Sequence, residues 1–397
     1  MGMFDELKDV EAREEVHQEK SDIEKILDTE KEIIERFKSD ERTQDHYKVR
    51  ELYPLIYGSV EEKSKKITIT REIVQSYINA RDNLETDSSA ILRGMYSAAL
   101  LELSCKKEPD KKITINGNGK VFNYLFHYIK NVSNVVIQNF KGKEILRYAG
   151  LAGKIKHITC RDIEGDELLS RAAQYNGVAE HINCINIKGD NTLYSIGYKG
   201  KIEYILCENI AGSRTLGNAS GRGNAKYIIC RNITGSATLA FVGSEGSVQH
   251  ISCINITGDS TLEGTGQYHK SAKYLTLENV EGNRTLYNGG GDGGINHIII
   301  DQPSEKNALH TDLHFERRIK NVLQEHERTA KQRKQIEEII KIAENMSLDS
   351  FEEQKAAHEK IAELQKEVFR KKWQKPFISL FETTKKLLRR EKKRGKT

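Results

Sequence analysis

Five cysteines, Cys160, Cys184, Cys207, Cys230 and Cys253, recur at steps of 24, 23, 23 and 23 residues. Thiols so regularly spaced are candidates for a soft-metal ladder or for redox chemistry. The same position holds Ile137 before the run, and Leu277 and Ile300 after it. A column that accepts isoleucine and leucine is a dry core column, and cysteine is a small hydrophobe that suits it. Three residues ahead of each lies an aromatic column: His157, His181, Tyr204, Tyr227, His250, Tyr274 and His297. Such a stripe, pointing outward, is a candidate binding surface for a partner, a helix or a glycan, or it packs the sheet surface. Histidine and tyrosine interchange along it, which a metal site would not allow.

Charged columns flank these two. Arg161, Glu208, Arg231, Glu278 and Asp301 follow the cysteine position, and Lys156, Glu180, Glu203, Lys226 and Lys273 precede the aromatic one. Neighbours of opposite sign, such as Glu203/Lys226 and Glu208/Arg231, are expected to pair across strands as a solvated face. The like-charged carboxylate pair of glycoside hydrolysis is missing. His310-Thr311-Asp312-Leu313-His314 has zinc-ligand residue types, but reads more simply as a helix start with an N-cap. The glycine run 289–294 matches one fragment of a calcium-binding nonapeptide repeat and, occurring once, reads as a turn. No catalytic residue, metal ligand or cofactor is assigned. The C-terminus carries Lys385, Lys386, Arg389, Arg390, Lys392, Lys393, Arg394 and Lys396 against Glu391, suited to nucleic acid or an anionic surface, or to a solvated end.

These columns need an element that repeats. Of 30 glycines, 26 lie between Gly117 and Gly294. Gly142, Gly165, Gly189, Gly212, Gly235, Gly258 and Gly282 are 23 or 24 residues apart. A leucine column runs in parallel from Leu146 to Leu286, and an asparagine column contains Asn139, Asp162, Asn186, Asn209, Asn232, Asn255 and Asn279. Apolar residues come in short alternating bursts, the period of strands. One unit cannot bury its own apolar face, so units must stack at the interstrand spacing of roughly 4.8 Å. The expected fold is mainly β: a parallel β-solenoid of about eight coils over residues 111–303, bracketed by Pro109 and Pro303. The asparagines are expected to form an amide ladder with buried side chains.

Coils of this length, with inward Ile/Leu/Cys columns and an Asn column at a turn, resemble the right-handed parallel β-helix of the pectate-lyase-like superfamily. The resemblance covers about half of the chain, at the level of fold. The Asn-Thr-Asp, Asp-pair and Gly-His-Gly signatures of its polygalacturonase branch are absent.

The flanks are helical in pattern. Residues 1–44 read as an acidic amphipathic helix; residues 1–40 hold 14 acids and 7 bases. Residues 45–110 read as a mostly helical cap, with a short strand at Ile67-Thr68-Ile69 and helices from about Arg71 and Ser89. Residues 304–397 read as a helical hairpin with a basic tail. Its first helix is expected over Leu313–Met346, and its second from Ser350 to about Trp373. This hairpin either covers the aromatic stripe or projects away and leaves it open. No apolar run is long enough for a membrane span, and the N-terminus lacks signal-peptide character. The unpaired thiols suit a reducing, cytoplasmic setting. The sequence thus suggests a non-enzymatic solenoid scaffold that binds protein partners or itself. A carbohydrate-active or glycan-binding β-helix is the alternative, and an Fe–S assembly-type β-helix scaffold a second.

Overall fold

The structure is a computed structural model that describes residues 21–369, apart from 46–47, 82–86, 268–271, 288, 290–294, 302–318, 324–328 and 348–349. Its centre is a parallel β-solenoid. Nine strands stack in chain order: β1 Lys112–Val121, β2 Asn131–Lys141, β3 Lys154–Glu164, β4 Val178–Lys188, β5 Lys201–Ala211, β6 Asn224–Thr234, β7 Ser247–Thr257, β8 Ala272–Glu281 and β9 Ile295–Asp301. Register follows the repeat, so Cys160, Cys184, Cys207, Cys230 and Cys253 lie directly above one another. All five are buried and free. Burial pushes the Cys160, Cys207 and Cys253 thiols well up, away from reactive thiolate.

The other half of each coil is not a strand. It is a run of tight turns in which alternate residues have positive φ: Glu144, Leu146 and Tyr148 in one coil, Arg214, Leu216 and Asn218 three coils on. Each step closes an i→i−3 backbone bond, such as Arg147 N–H to the Glu144 carbonyl at 3.2 Å. Further bonds tie it to the coil below, as Leu169 N–H does to the Ile145 carbonyl at 2.9 Å. The leucine column sits in this arm with φ of 52–60° and is buried. Left-handed backbone costs a non-glycine residue about 1–2 kcal/mol, offset here by bonding to adjacent coils and core burial.

The asparagine ladder forms as expected. Asn209 donates to Asn186 at 3.0 Å, Asn232 to Asn209 at 3.1 Å and Asn255 to Asn232 at 3.1 Å. It lies on the exposed rim, however, and not inside the coil. All of its residues from Asn139 to Asn279 have left-handed φ, which asparagine tolerates better than other non-glycine residues. The glycine column follows three residues later, where chain meets chain. A Cβ on Gly235 would stand 2.1 Å from the Gly212 carbonyl oxygen, at φ of +148°.

Four helices close the first coil: α1 Asp22–Phe37, α2 Leu52–Lys63, α3 Arg71–Ala80 and α4 Ser88–Lys107. Helix α1 starts on a Ser21/Glu24 capping box and packs on α3 and α4, so it shares their core. Helix α4 rests Gly94 on the first turn arm, where a Cβ would meet the Tyr124 carbonyl at 2.2 Å. Its Ser97 Oγ accepts from Phe126 N–H at 3.1 Å. The expected strand at Ile67–Ile69 is instead an extended linker that buries Ile67 and Ile69 before α3.

At the other end the expected helix over Leu313–Met346 divides. Residues Ile319–Leu323 form a tenth strand, β10, parallel to β9. Helix α5 spans only Ala330–Glu344, starting on a Thr329/Gln332 capping box, and α6 spans Phe351–Val368. The two form an antiparallel hairpin: Gln332 Nε2 donates to the Val368 carbonyl at 3.0 Å.

Steric demand at the glycine column generates a contrast. Gly235→Ala should cost about 1–3 kcal/mol through clash and strain. Gly119→Ala, at φ of +80° but with nothing within 4 Å of its Cβ, should cost less, the backbone strain of about 1–2 kcal/mol alone. Urea melts of both variants check this ordering.

Candidate functional site

The outward positions of β3–β9 form one flat face, and the hairpin lies on it. The aromatic column stacks as a single pile. Ring centroids are 4.5 Å apart for His181–Tyr204, 5.1 Å for Tyr204–Tyr227, 5.0 Å for Tyr227–His250 and His250–Tyr274, and 4.8 Å for Tyr274–His297. His157 meets His181 edge-on at 4.8 Å. Stacking at this distance follows from strand spacing, because in-register parallel strands place like residues one above another.

Helix α6 runs along this pile. Phe351 stacks on His157 at 4.1 Å, His358 lies 5.1 Å from Tyr204 and 5.4 Å from Tyr227, and Phe369 lies 4.4 Å from His297. Gln365 joins the seam through two bonds, its Oε1 2.5 Å from His250 Nδ1 and its Nε2 donating to Thr276 Oγ1 at 2.9 Å. Gln354 Oε1 accepts from Asn183 Nδ2 at 3.0 Å. Phe351, His358 and Gln365 are seven residues apart, as are Gln354, Ile361 and Val368. Seven helical residues rise about 10.5 Å, close to two coils at about 9.6 Å, so helix and stack stay in step. That heptad spacing was the sequence signal for the contact.

Helix α5 covers the next outward columns. Leu206, Ile229, Ile254 and Ile299 form a buried cluster with Ile336, Ile339, Ile340, Ala343 and Met346. Arg231 sits among them, 5% exposed. Its Nη1 donates to the Ala343 carbonyl at 2.8 Å and to that of Glu344, and its Nη2 to Glu208 Oε2 at 2.6 Å and the Met346 carbonyl at 3.3 Å. The solenoid thereby caps the last turn of α5, where carbonyls lack intrahelical partners. The expected Glu208/Arg231 pair exists, but on a covered face and not a solvated one. The Glu203/Lys226 pair is replaced: Glu203 meets Lys201 at 3.2 Å, and the Lys226 ammonium lies over the rings of Tyr204 and Tyr227.

Burial disfavours the charged form of four histidines at this seam, His157, His181, His250 and His358. Burial brings His181 and His250 down to about 4 and His358 down to about 3, and lowers His157. Neither ring nitrogen of His181 has a hydrogen-bond partner.

A separate cleft of about 650 Å³ lies between the helical cap and the first coils. Its buried carboxylate, Glu102, accepts from Tyr53 Oη, Lys130 N–H and Asn131 Nδ2 at 2.7–2.9 Å, and so is committed to the fold. Among the described residues no three His, Cys, Asp or Glu side chains are grouped to hold a metal ion. No described helix is long and apolar enough to cross a membrane. The segment His310–His314 and the basic tail from Lys385 to Lys396 lie outside the described residues, as does most of the glycine run 289–294. No known protein family, curated protein or solved structure matches this chain.

The arginine cap has a measurable role. Arg231→Met strands the Glu208 carboxylate and the α5 carbonyls, and should weaken hairpin docking by roughly 2–4 kcal/mol. Limited proteolysis should then cut within residues 330–369 while the solenoid stays intact. The double variant Arg231→Met/Glu208→Leu should recover part of the loss.

Proposed function

We propose that this chain is a non-enzymatic, partner-binding scaffold whose solenoid face receives helices. Helix α6 lying along the aromatic pile carries this reading. The pile, from His157 to His297, is a long surface of stacked rings at fixed intervals, and a helix with a seven-residue seam is the shape that fits it. The helical cap at one end and the hairpin at the other supply the elements for assembly. Six buried, free thiols support a reducing, cytoplasmic setting. The carbohydrate-active alternative requires an open aromatic face, and α6 fills that face.

The reading is tested by offering the face a helix in trans. Ile361 and Leu364 of α6 are buried in the cluster that α5, α6 and the solenoid face share. In the full chain, Ile361→Asp/Leu364→Asp should release α6 and leave the solenoid folded. A synthetic peptide of residues 350–369 should then bind this variant at one per chain and fail to bind the wild-type protein. A variant that keeps its β-sheet circular dichroism, exposes α6 to protease and still ignores the peptide would reject a helix-receiving face.

A further inference from the structure

Histidines are concentrated where α6 meets the solenoid. His157, His181, His250 and His297 come from the strands, and His358 comes from the helix. We propose that the α5–α6 hairpin is an acid-released cover: protonation of the histidines between α6 and the solenoid detaches the helix and opens the aromatic face. The inference rests on the reading of that face as helix-receiving, and adds how its occupancy is controlled.

The geometry places three of these rings where a charge has no solvation. His181 is 6% exposed, His250 4% and His358 1%. His181 stacks on Tyr204 with both nitrogens unpartnered, and His358 lies beside the Tyr204 and Tyr227 rings. An imidazolium at His181 or His358 loses water and gains little, and at His250 the loss outweighs the bond to Gln365 Oε1 at 2.5 Å, which favours the charge. The charged neighbours are mixed. Lys355 of α6 opposes charge on His181, as does His157; Lys366 of α6, with Lys226 and Lys273 of the solenoid, opposes it on His250. His181 and His250 oppose charge on His358. Glu180, itself held by Lys154 at 2.7 Å, favours charge on His181 and on His157; on His157 Lys156 opposes it and Glu352 favours it. Glu359 accepts from Tyr204 Oη at 3.4 Å. On α5, Glu338 faces Lys360 at 3.9 Å and Glu367 of α6 takes Gln335, so neither carboxylate is placed on a histidine.

The direction follows from proton linkage. His157, His181, His250 and His358 titrate below the ordinary value of about 6.5, so the docked state binds fewer protons than the released one. Docking is complete above that value and weakens as pH falls below it, towards the docked values of about 4 for His181 and His250 and about 3 for His358. Each fully released histidine weakens docking roughly 30-fold at pH 5. The columns facing into the solenoid hold Ile, Val, Ala, Cys and Leu, which gain no charge over this range, so the coils stay stacked.

Hydrogen exchange of the full chain tests this, with rates corrected for the intrinsic pH dependence of amides. Between pH 7.5 and pH 5.0, protection of α6 should fall by about 100-fold or more while β4–β7 stay protected. In His181→Tyr/His358→Phe, the loss at pH 5.0 should shrink to no more than the roughly 30-fold that the remaining His250 accounts for; the column already takes tyrosine in the next coil. His181→Tyr alone, the milder change, should restore part of the protection if the double variant folds poorly. Wild-type α6 equally protected at both pH values, or substituted proteins losing protection as the wild type does, would overturn acid release and leave the covered face in place. An unprotected α6 at pH 7.5 would instead overturn the cover itself.

Discussion

Each coil sits on its predecessor at the strand spacing, so every side chain is answered by its counterpart one repeat away. The glycine column exists because carbonyl and Cα approach too closely there for a Cβ. The asparagine rim exists because an amide is both donor and acceptor, and can bond upward and downward at once. The cysteine column exists because a small apolar side chain fills the same interior space in five successive coils. Repetition also creates the outer face. Rings at one position must pile up, and a row of isoleucine and leucine beside them cannot stay in water along its whole length.

A helix is a natural cover for such a face because the two periods nearly agree. Two coils and two helical turns differ by about 1 Å, so each of the two heptad rows of α6 presents one residue for every two rings over its 18 residues. The seam is mixed in character. Phe351, Ile361 and Val368 contribute apolar area, whereas Gln354, His358 and Gln365 bring polar groups to a buried face, and the two glutamines bond to Asn183, His250 and Thr276. Polar contacts of this kind fix the register of the helix on the stack, since a shifted helix would leave them unpaired. Arg231 fixes the other helix in the same way.

Strands, core columns and outward columns were legible in the sequence because register repeats every 23 or 24 residues. The rest was obscured by context. Leu146 and its counterparts look like strand residues, but their left-handed backbone is sustained only by bonds to adjacent coils. Residues Ile319–Leu323 continue a helical spacing, yet they pair with β9, because the last strand offers a row of open backbone groups. Arg231 and Glu208 read as surface ions; nothing local announces that the end of α5 arrives above them. His358 reads as an ordinary helix residue until its seven-residue spacing from Phe351 and Gln365 is set against the coil height.

The central claim is that α6 lies on the aromatic pile of its own chain. The most direct measurement is a nuclear Overhauser experiment on protein with isotope-labelled histidine and tyrosine rings. Ring centroids 5.1 and 5.4 Å apart require cross-peaks from His358 to Tyr204 and to Tyr227 at neutral pH. Their intensity should not change on dilution, and they should vanish in His358→Ala. Absence of both cross-peaks in folded protein, or their appearance only between differently labelled chains, would contradict the account.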